Sequence, residues 1–205
     1  MKAATLIISS VFAAALVSCE NPADQTTDAT TTEAVETNEA PAEGTSYALA
    51  DGSTISFVGS KVTGKHDGGF NEFTGSFTVD ENGEVTGGGI VIDMDSTWSD
   101  ADKLTEHLKS EDFFHVAEHP ESKFTVTGVE KTDEGHSISG NLLLRGVEKN
   151  ITFPATASKD GDVVKVTAEF DIKRKDWGIV YAGKADDLIR DEVVIKFDLT
   201  ATPAS

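Results

Sequence analysis

Only one cysteine, Cys19, occurs in the 205 residues, so no disulfide can form within the chain and the fold must hold by packing alone. Basic residues are scarce: 17 Lys and Arg stand against 36 Asp and Glu, and a formal charge of −19 argues against nucleic acid as a partner. Aromatic hydroxyls are scarce too, with two Tyr beside eleven Phe. A membrane-spanning helix takes about 20 apolar residues, and the apolar run Leu6–Val17 is twelve residues long. The hydrolase nucleophile elbow, the phosphate-binding loop, the dinucleotide fingerprint and the HExxH metal motif are all absent. With no catalytic constellation in view, the chain is expected not to be an enzyme.

The first residues read as an address. Lys2 supplies a positive charge, Leu6–Val17 an apolar run and Leu16-Val17-Ser18-Cys19 a small-residue cleavage site, the pattern of a secretory signal peptide over residues 1–18. Leu-Val-Ser-Cys also resembles the lipobox of bacterial lipoproteins, which implies that Cys19 is acylated and becomes the new N-terminus. Acyl chains gain about 0.8 kcal/mol per buried CH₂, enough together for a durable anchor. Glu20–Gly44 holds seven acidic residues, no basic ones and no aromatics, among many Thr, Ala and Pro. Such a segment buries too little apolar surface to offset its ordering entropy. Residues 19–44 are therefore expected to be the acylated Cys and a disordered tether, whose removal leaves the melting temperature nearly unchanged.

Residues 45–205 form one domain by length and alternate apolar with polar residues at period two. Ile55 and Phe57 open the series, then Phe73, Phe77 and Val79, then Ile90, Ile92 and Met94, with Asp93 and Asp95 turned outward. Phe124 and Val126 follow, then Ile138, Leu142 and Leu144, then Ile151, Phe153 and Ala155. Val164 to Ile172 and Val193 to Leu199 complete eight strands, with turns at Asn82-Gly83, Asp133–Gly135 and Asp160-Gly161. The glycines at 87–89 mark a bend or bulge. Eight amphipathic strands fit an antiparallel barrel with room for one small ligand, and a two-sheet sandwich meets the same spacing.

Between the third and fourth strands the period changes. Leu104, His107 and Leu108 lie at helical spacing, Ser99 offers an N-cap and Pro120 ends any helical run. From His107 the sequence reads HLKSEDFFHVAEHPESKF. This is similar to the hallmark of the YceI-like family of lipid-binding (polyisoprenoid-binding) barrels, roughly HL-x-S-x-DFF-x-V-x-x-YP-x-x-x-F. His107, Leu108, Ser110, Asp112, Phe113, Phe114, Val116, Pro120 and Phe124 agree, and His119 stands where the pattern has Tyr. The resemblance extends to Gly140, Leu142, Gly146 and Val147 of a G-x-L-x-x-x-G-V hairpin, and to FDIKRKDWGI, where Trp177 replaces the commoner Phe. It implies an all-β, eight-stranded antiparallel lipocalin-like barrel with a short helical insert between strands 3 and 4.

His107, His115 and His119 fall within thirteen residues beside Glu111, Asp112 and Glu118. Pro120 biases His119 away from helix, and neither His115 nor His119 fits the family pattern, so no metal site is expected. Asp93 and Asp95 read as surface carboxylates. No cofactor is implied beyond a bound isoprenoid lipid.

An apolar interior is met equally by a core filled with side chains. The resemblance implies instead that it stays partly empty, lined by Phe57, Phe73, Phe77, Ile92, Met94, Phe124, Leu142, Phe153, Phe170 and Phe197. The helical insert (Trp98, His107, Leu108, Phe113, Phe114) and the loop after Lys173 (Arg174, Trp177, Tyr181) form the expected rim. Walls of Phe suit a hydrocarbon. Each buried isoprene unit gains roughly 3–4 kcal/mol gross at about 0.8 per carbon, before ordering costs. The expected function is a membrane-tethered carrier of a long amphiphilic lipid, an isoprenoid quinone or polyprenyl compound, in the bacterial cell envelope and on the periplasmic side. The alternative is a ligand-free structural or protein-interaction barrel of the envelope with a role in stress.

Overall fold

The computed structural model describes residues 20–37 and 44–204, so the signal-peptide and Cys19 readings lie outside the described residues. Eight long strands follow one another up and down. Strand β1 comprises Thr45–Leu49 and Thr54–Lys61, β2 Gly64–Phe70 and Phe73–Val79, and β3 Val85–Asp93 and Thr97–Ser99. Helix α1 (Asp102–Lys109) precedes β4 (Glu121–Thr132), β5 (Gly135–Leu144), β6 (Val147–Asp160), β7 (Val163–Lys173) and β8 (Asp187–Pro203). Each strand pairs antiparallel with the next, and β8 returns to β1 through Ile195↔Phe57 and Ala201↔Leu49. The ring is closed into a barrel, one of the two architectures that the alternation allows.

The first three strands are interrupted at the same height. A turn at Asp51-Gly52 breaks β1, Asn71-Glu72 breaks β2, and the 3₁₀ turn Met94–Ser96 breaks β3. Met94, expected to continue the inward face of β3, sits buried in that turn instead. Asp93 caps it by accepting from the Asp95 N–H at 2.9 Å, and the Asp95 carboxylate pairs with Lys109 Nζ at 3.1 Å. In β3 the register shifts opposite Thr78 and Val79, and Gly88 has φ +140°. A Cβ there would meet the Ser76 carbonyl oxygen at 2.3 Å, so only glycine admits the strand. Helix α1 has Ala101, not Ser99, as its N-cap residue. Ser99 Oγ instead meets Thr105 Oγ1 at 2.9 Å across the first turn.

Strands β6 and β7 are hydrogen-bonded to each other only over Thr156–Asp160 and Val163–Thr167. Beyond that they part, and the N-terminal segment lies in the gap. Thr27–Asp28 pairs parallel with Phe170–Asp171 of β7, and Thr30–Glu33 pairs antiparallel with Lys149–Thr152 of β6. Over residues 20–37 the expected disordered tether is thus corrected to a docked peptide; residues 38–43 lie outside the described residues. The physical reason is that docking draws on backbone edges and β-branched Thr rather than on apolar area.

Side chains add to the ladder. Ala23 is buried with Val58 and Val194, and Glu33 pairs with Lys149 at 2.6 Å. The Asn141 amide donates to the Val35 carbonyl at 2.7 Å and accepts its N–H at 3.2 Å, as a strand neighbour would. Asn150 donates to Asn141 Oδ1 at 2.9 Å, holding that amide in place.

Thr26 Oγ1 donates to Asp171 Oδ2 at 2.8 Å. Burial holds the Asp171 carboxyl above its ordinary range, and the Asp28 and Glu192 charges add to this against the Thr26 bond. A carboxyl raised by docking opposes docking once ionised, so the contact is tightest in acid and weakens as pH rises through the raised value. Asp171→Asn, which keeps an acceptor for Thr26, is expected to raise the melting temperature at neutral pH by about 2–4 °C, on the order of 1 kcal/mol. Thermal scans should show the gain fading as the pH falls through the raised Asp171 value, below which that carboxyl is itself protonated. A gain independent of pH would remove the charge as its cause.

Candidate functional site

The interior divides into two levels. Toward the end carrying turns 80–84, 133–134 and 161–162, Phe77, Val85, Ile138, Phe153, Val166 and Leu199 surround a void of about 20 Å³. Phe153 stacks on Phe170 at 4.0 Å between centroids, and Phe197 meets both edge-on at 6.0 and 5.7 Å. These three rings form a floor. Above it, toward α1, lies a cavity of about 140 Å³.

Of the ten residues expected to line a pocket, Phe57, Ile92, Phe124, Leu142, Phe170 and Phe197 border this cavity. Phe77 and Phe153 are corrected to the packed level below it. Phe73 packs against the core without bordering the cavity, and Met94 is held in its 3₁₀ turn. The Phe-weighted expectation passed over the aliphatic walls, Ile55, Leu144, Ile151, Ile172, Val193 and Ile195. Period two did signal these: Ile172 precedes Lys173 and Ile195 precedes Lys196 at the strand alternation.

Of the expected rim, Leu108, Phe113 and Phe114 cover the cavity. Phe114 closes a cluster with Phe57 and Phe70, at 6.2 and 6.1 Å between centroids. Above them His107 stands edge-on to both Phe113 and Tyr181 at 4.9 Å, and its Nε2 lies 2.8 Å from Asp112 Oδ2. His107 is therefore a packing residue fixed by a carboxylate. Trp98 is exposed on the short edge run of β3. Trp177 is corrected from rim to core: it is fully buried, and its Nε1 donates to the Leu142 carbonyl at 3.2 Å.

Arg174 is also buried, and it borders the cavity. Its Nε donates to the Arg190 carbonyl at 2.9 Å, and its terminal nitrogens donate to the Ile179 and Ile189 carbonyls. Burial lowers its pKa from an ordinary value so high that the group remains a cation, and Asp191 acts in the opposite sense. An arginine has five N–H donors, and three are bonded to these carbonyls. A hydrocarbon-walled cavity thus carries a fixed positive group in its wall.

Pro120 does not keep the neighbouring histidines apart. Residues 115–119 form a turn in which the His119 N–H donates to the His115 carbonyl at 2.9 Å, and His115 has φ +51°. Ligand atoms of His115, Glu118 and His119 fall within 4.8 Å of one another, a set that can offer a divalent cation two nitrogens and an oxygen. His119 packs against Gly146, which leaves no space there for a Cβ.

Residues 47–201 match the YceI-like domain family. The chain belongs to that family. Relatives of the YceI-like domain include UPF0312 proteins of Yersinia enterocolitica, 38% identical over 96 residues, and of Pectobacterium carotovorum, 36% identical over 119 residues. Those alignments cover 46% and 55% of this chain and 50% and 62% of the relatives, so the chain spans about half to three-fifths of their length. Among solved structures, BcnA of Burkholderia cenocepacia superposes with a TM-score of 0.65 at 22% identity, over 73% of this chain and 96% of its own. A polyisoprenoid binding domain from Saccharophagus degradans superposes with a TM-score of 0.62 at 22% identity, over 77% and 98%. At that identity the likeness establishes the YceI-like fold. The docked segment, residues 20–37, lies outside the family match.

Proposed function

We propose that this YceI-like barrel is a carrier that holds a long amphiphilic lipid of isoprenoid type, quinone or polyprenyl, with its tail in the cavity above the Phe153–Phe170–Phe197 floor. The observation that carries the reading is an apolar cavity walled by Ile, Leu, Val and Phe side chains above a floor of stacked rings. The tail is recognised by burial. The Arg174 guanidinium is turned to the Arg190, Ile179 and Ile189 carbonyls behind the wall, so the head is left at the mouth. The polyisoprenoid binding domain from Saccharophagus degradans supports the same ligand class.

A cavity of about 150 Å³ lined by apolar side chains admits benzene, so the 140 Å³ here admits about one isoprene unit as it stands. A longer tail requires the Phe57–Phe70–Phe114 cluster to swing aside with the segment after α1. The second reading, an envelope barrel complete without ligand, takes its support from that same small volume. Native mass spectrometry of the chain purified from a membrane-containing host separates the two. Co-purified lipid that extraction identifies as isoprenoid is the expected result. Protein that carries none, and binds none from a panel of quinones and polyprenyl alcohols, overturns the carrier.

The carrier is tethered to a membrane through acylated Cys19, as an exported lipoprotein on the periplasmic side of the envelope. Metabolic labelling with palmitate that leaves the chain unlabelled would remove the tether and leave the cavity argument intact.

A further inference from the structure

Among the described residues acidic side chains stand at both ends of the barrel, but exposed large apolar ones cluster at one. The floor end presents acidic turns, with Asp80-Glu81, Asp133-Glu134, Asp160 and Asp162. The cavity end presents apolar side chains to solvent: Val62 is 54% exposed, Val180 66% and Leu188 48%. Trp98 and Tyr181, both exposed, belong to the same end. Val62 lies in the β1–β2 turn, whose N–H donates to the Leu188 carbonyl at 3.2 Å. Val180 follows Ile179, a cavity-wall residue, and the Ile189 N–H ties this loop to β8 through the Ala182 carbonyl at 3.0 Å. These exposed residues therefore ring the mouth of the cavity.

The start of the described chain lies at that end as well. Asn21 Oδ1 accepts from Ser60 Oγ at 3.4 Å, two residues from Val62, and Glu20, Asn21 and Pro22 border the same surface hollow as Gly64 and Lys65. The nineteen residues before Glu20 include the apolar run Leu6–Val17 and Cys19. The residues that lead to an anchor, the exposed apolar tips and the cavity mouth thus share one pole.

We propose that this pole is a membrane-contacting surface, with Val62, Val180 and Leu188 inserted among the lipids and Trp98 and Tyr181 at headgroup depth. The inference deepens the carrier reading and rests on it: a barrel set mouth-down passes a lipid between bilayer and cavity without exposing the tail to water. Aromatic residues with a polar edge favour the membrane–water boundary, and a patch of apolar tips without a spanning segment lies on the membrane rather than across it. The acidic turns at the opposite pole face away from the bilayer.

The test uses the full chain reconstituted on phosphatidylcholine vesicles that contain brominated lipid. The two tryptophans serve as reporters, because Trp98 is exposed at the mouth and Trp177 is fully buried. Quenching of a large part of the emission is expected, and Trp98→Phe should remove that quenched part. In a Trp98→Phe background, Asn82→Trp places a reporter at the opposite pole and should remain unquenched. Val180→Asp with Leu188→Asp should sharply reduce Trp98 quenching at equal vesicle-bound protein, with circular dichroism unchanged. Vesicle-bound chain whose Trp98 is unquenched, equal quenching from Asn82→Trp, or no vesicle binding each overturns the proposal. Extraction of lipid from the same samples keeps the outcomes apart: a chain that carries lipid but shows no mouth-side quenching is a carrier that does not sit mouth-down.

Discussion

Removal of residues 20–37 is expected to lower the melting temperature by about 5–10 °C, a loss of roughly 2–3 kcal/mol for a domain of this size. The deletion strips the parallel ladder from Phe170–Asp171 and the antiparallel ladder from Lys149–Thr152. It exposes Val58 and Val194, which pack on Ala23, and releases the Glu33–Lys149 pair. Two effects work against the loss. Asn141, Asn150 and Asp171 regain water, and the removed peptide no longer has to be ordered. A net loss is expected because an intramolecular hydrogen bond contributes about 0.5–1.5 kcal/mol, and the opened edges of β6 and β7 have no substitute but water. Thermal unfolding followed by circular dichroism decides the point. An unchanged midpoint would mean that the segment rests on the barrel without stabilising it.

Replacing Leu142 with Trp is expected to weaken binding of a polyprenyl or quinone ligand by about 100-fold, or ~2.7 kcal/mol. The larger indole would enter the 140 Å³ beside Phe124 and Phe170 and break up its continuous space. That displaces about one isoprene unit, whose burial gains roughly 3–4 kcal/mol gross. The fold should survive, because the added volume enters a void and overpacking costs about 1–3 kcal/mol even where none exists. The Leu142 carbonyl that receives the Trp177 N–H belongs to the backbone and is kept. Ile195→Trp, entering the same cavity from β8, is a second variant against local misfolding. Titration of detergent-solubilised ligand into wild type and both variants reads the effect directly. Undiminished binding by folded variants would place the lipid elsewhere on the molecule.

The barrel was legible because each strand alternates sharply, and the family resemblance chose barrel over sandwich, which period two alone could not do. The helical insert was legible from the spacing of Leu104, His107 and Leu108, and Asp102–Lys109 is indeed helical. Alternation gives the face of a residue but not its height along the axis. For that reason alternation groups Phe77 and Phe153 with Phe57 and Phe124, although Phe153 belongs to the floor and Phe77 lies beneath it. Arg174 is expected at the rim with the rest of its loop. Only the folded loop shows three carbonyls converging on it. The docked peptide was the largest omission. Thr30-Thr31-Thr32 in an acidic, aromatic-free stretch gives no burial signal, and its partners are main-chain atoms of strands more than a hundred residues away, which side-chain patterns do not encode.

The closed ring also sets the order in which the molecule can be assembled. Neighbouring strands meet through short turns and can form early, but Phe57 must wait for Ile195, 138 residues later in the chain. Thr27 waits longer still, for Phe170, 143 residues on. Loop closure over such distances makes non-local β topologies slow, in the range of roughly milliseconds to seconds. The peptide that fills the gap has no seat until β6 and β7 stand side by side and part beyond Thr156 and Thr167. The first described residues of the chain are thus among the last to find their place, and until they do the two parted strands keep open edges that another chain can pair with.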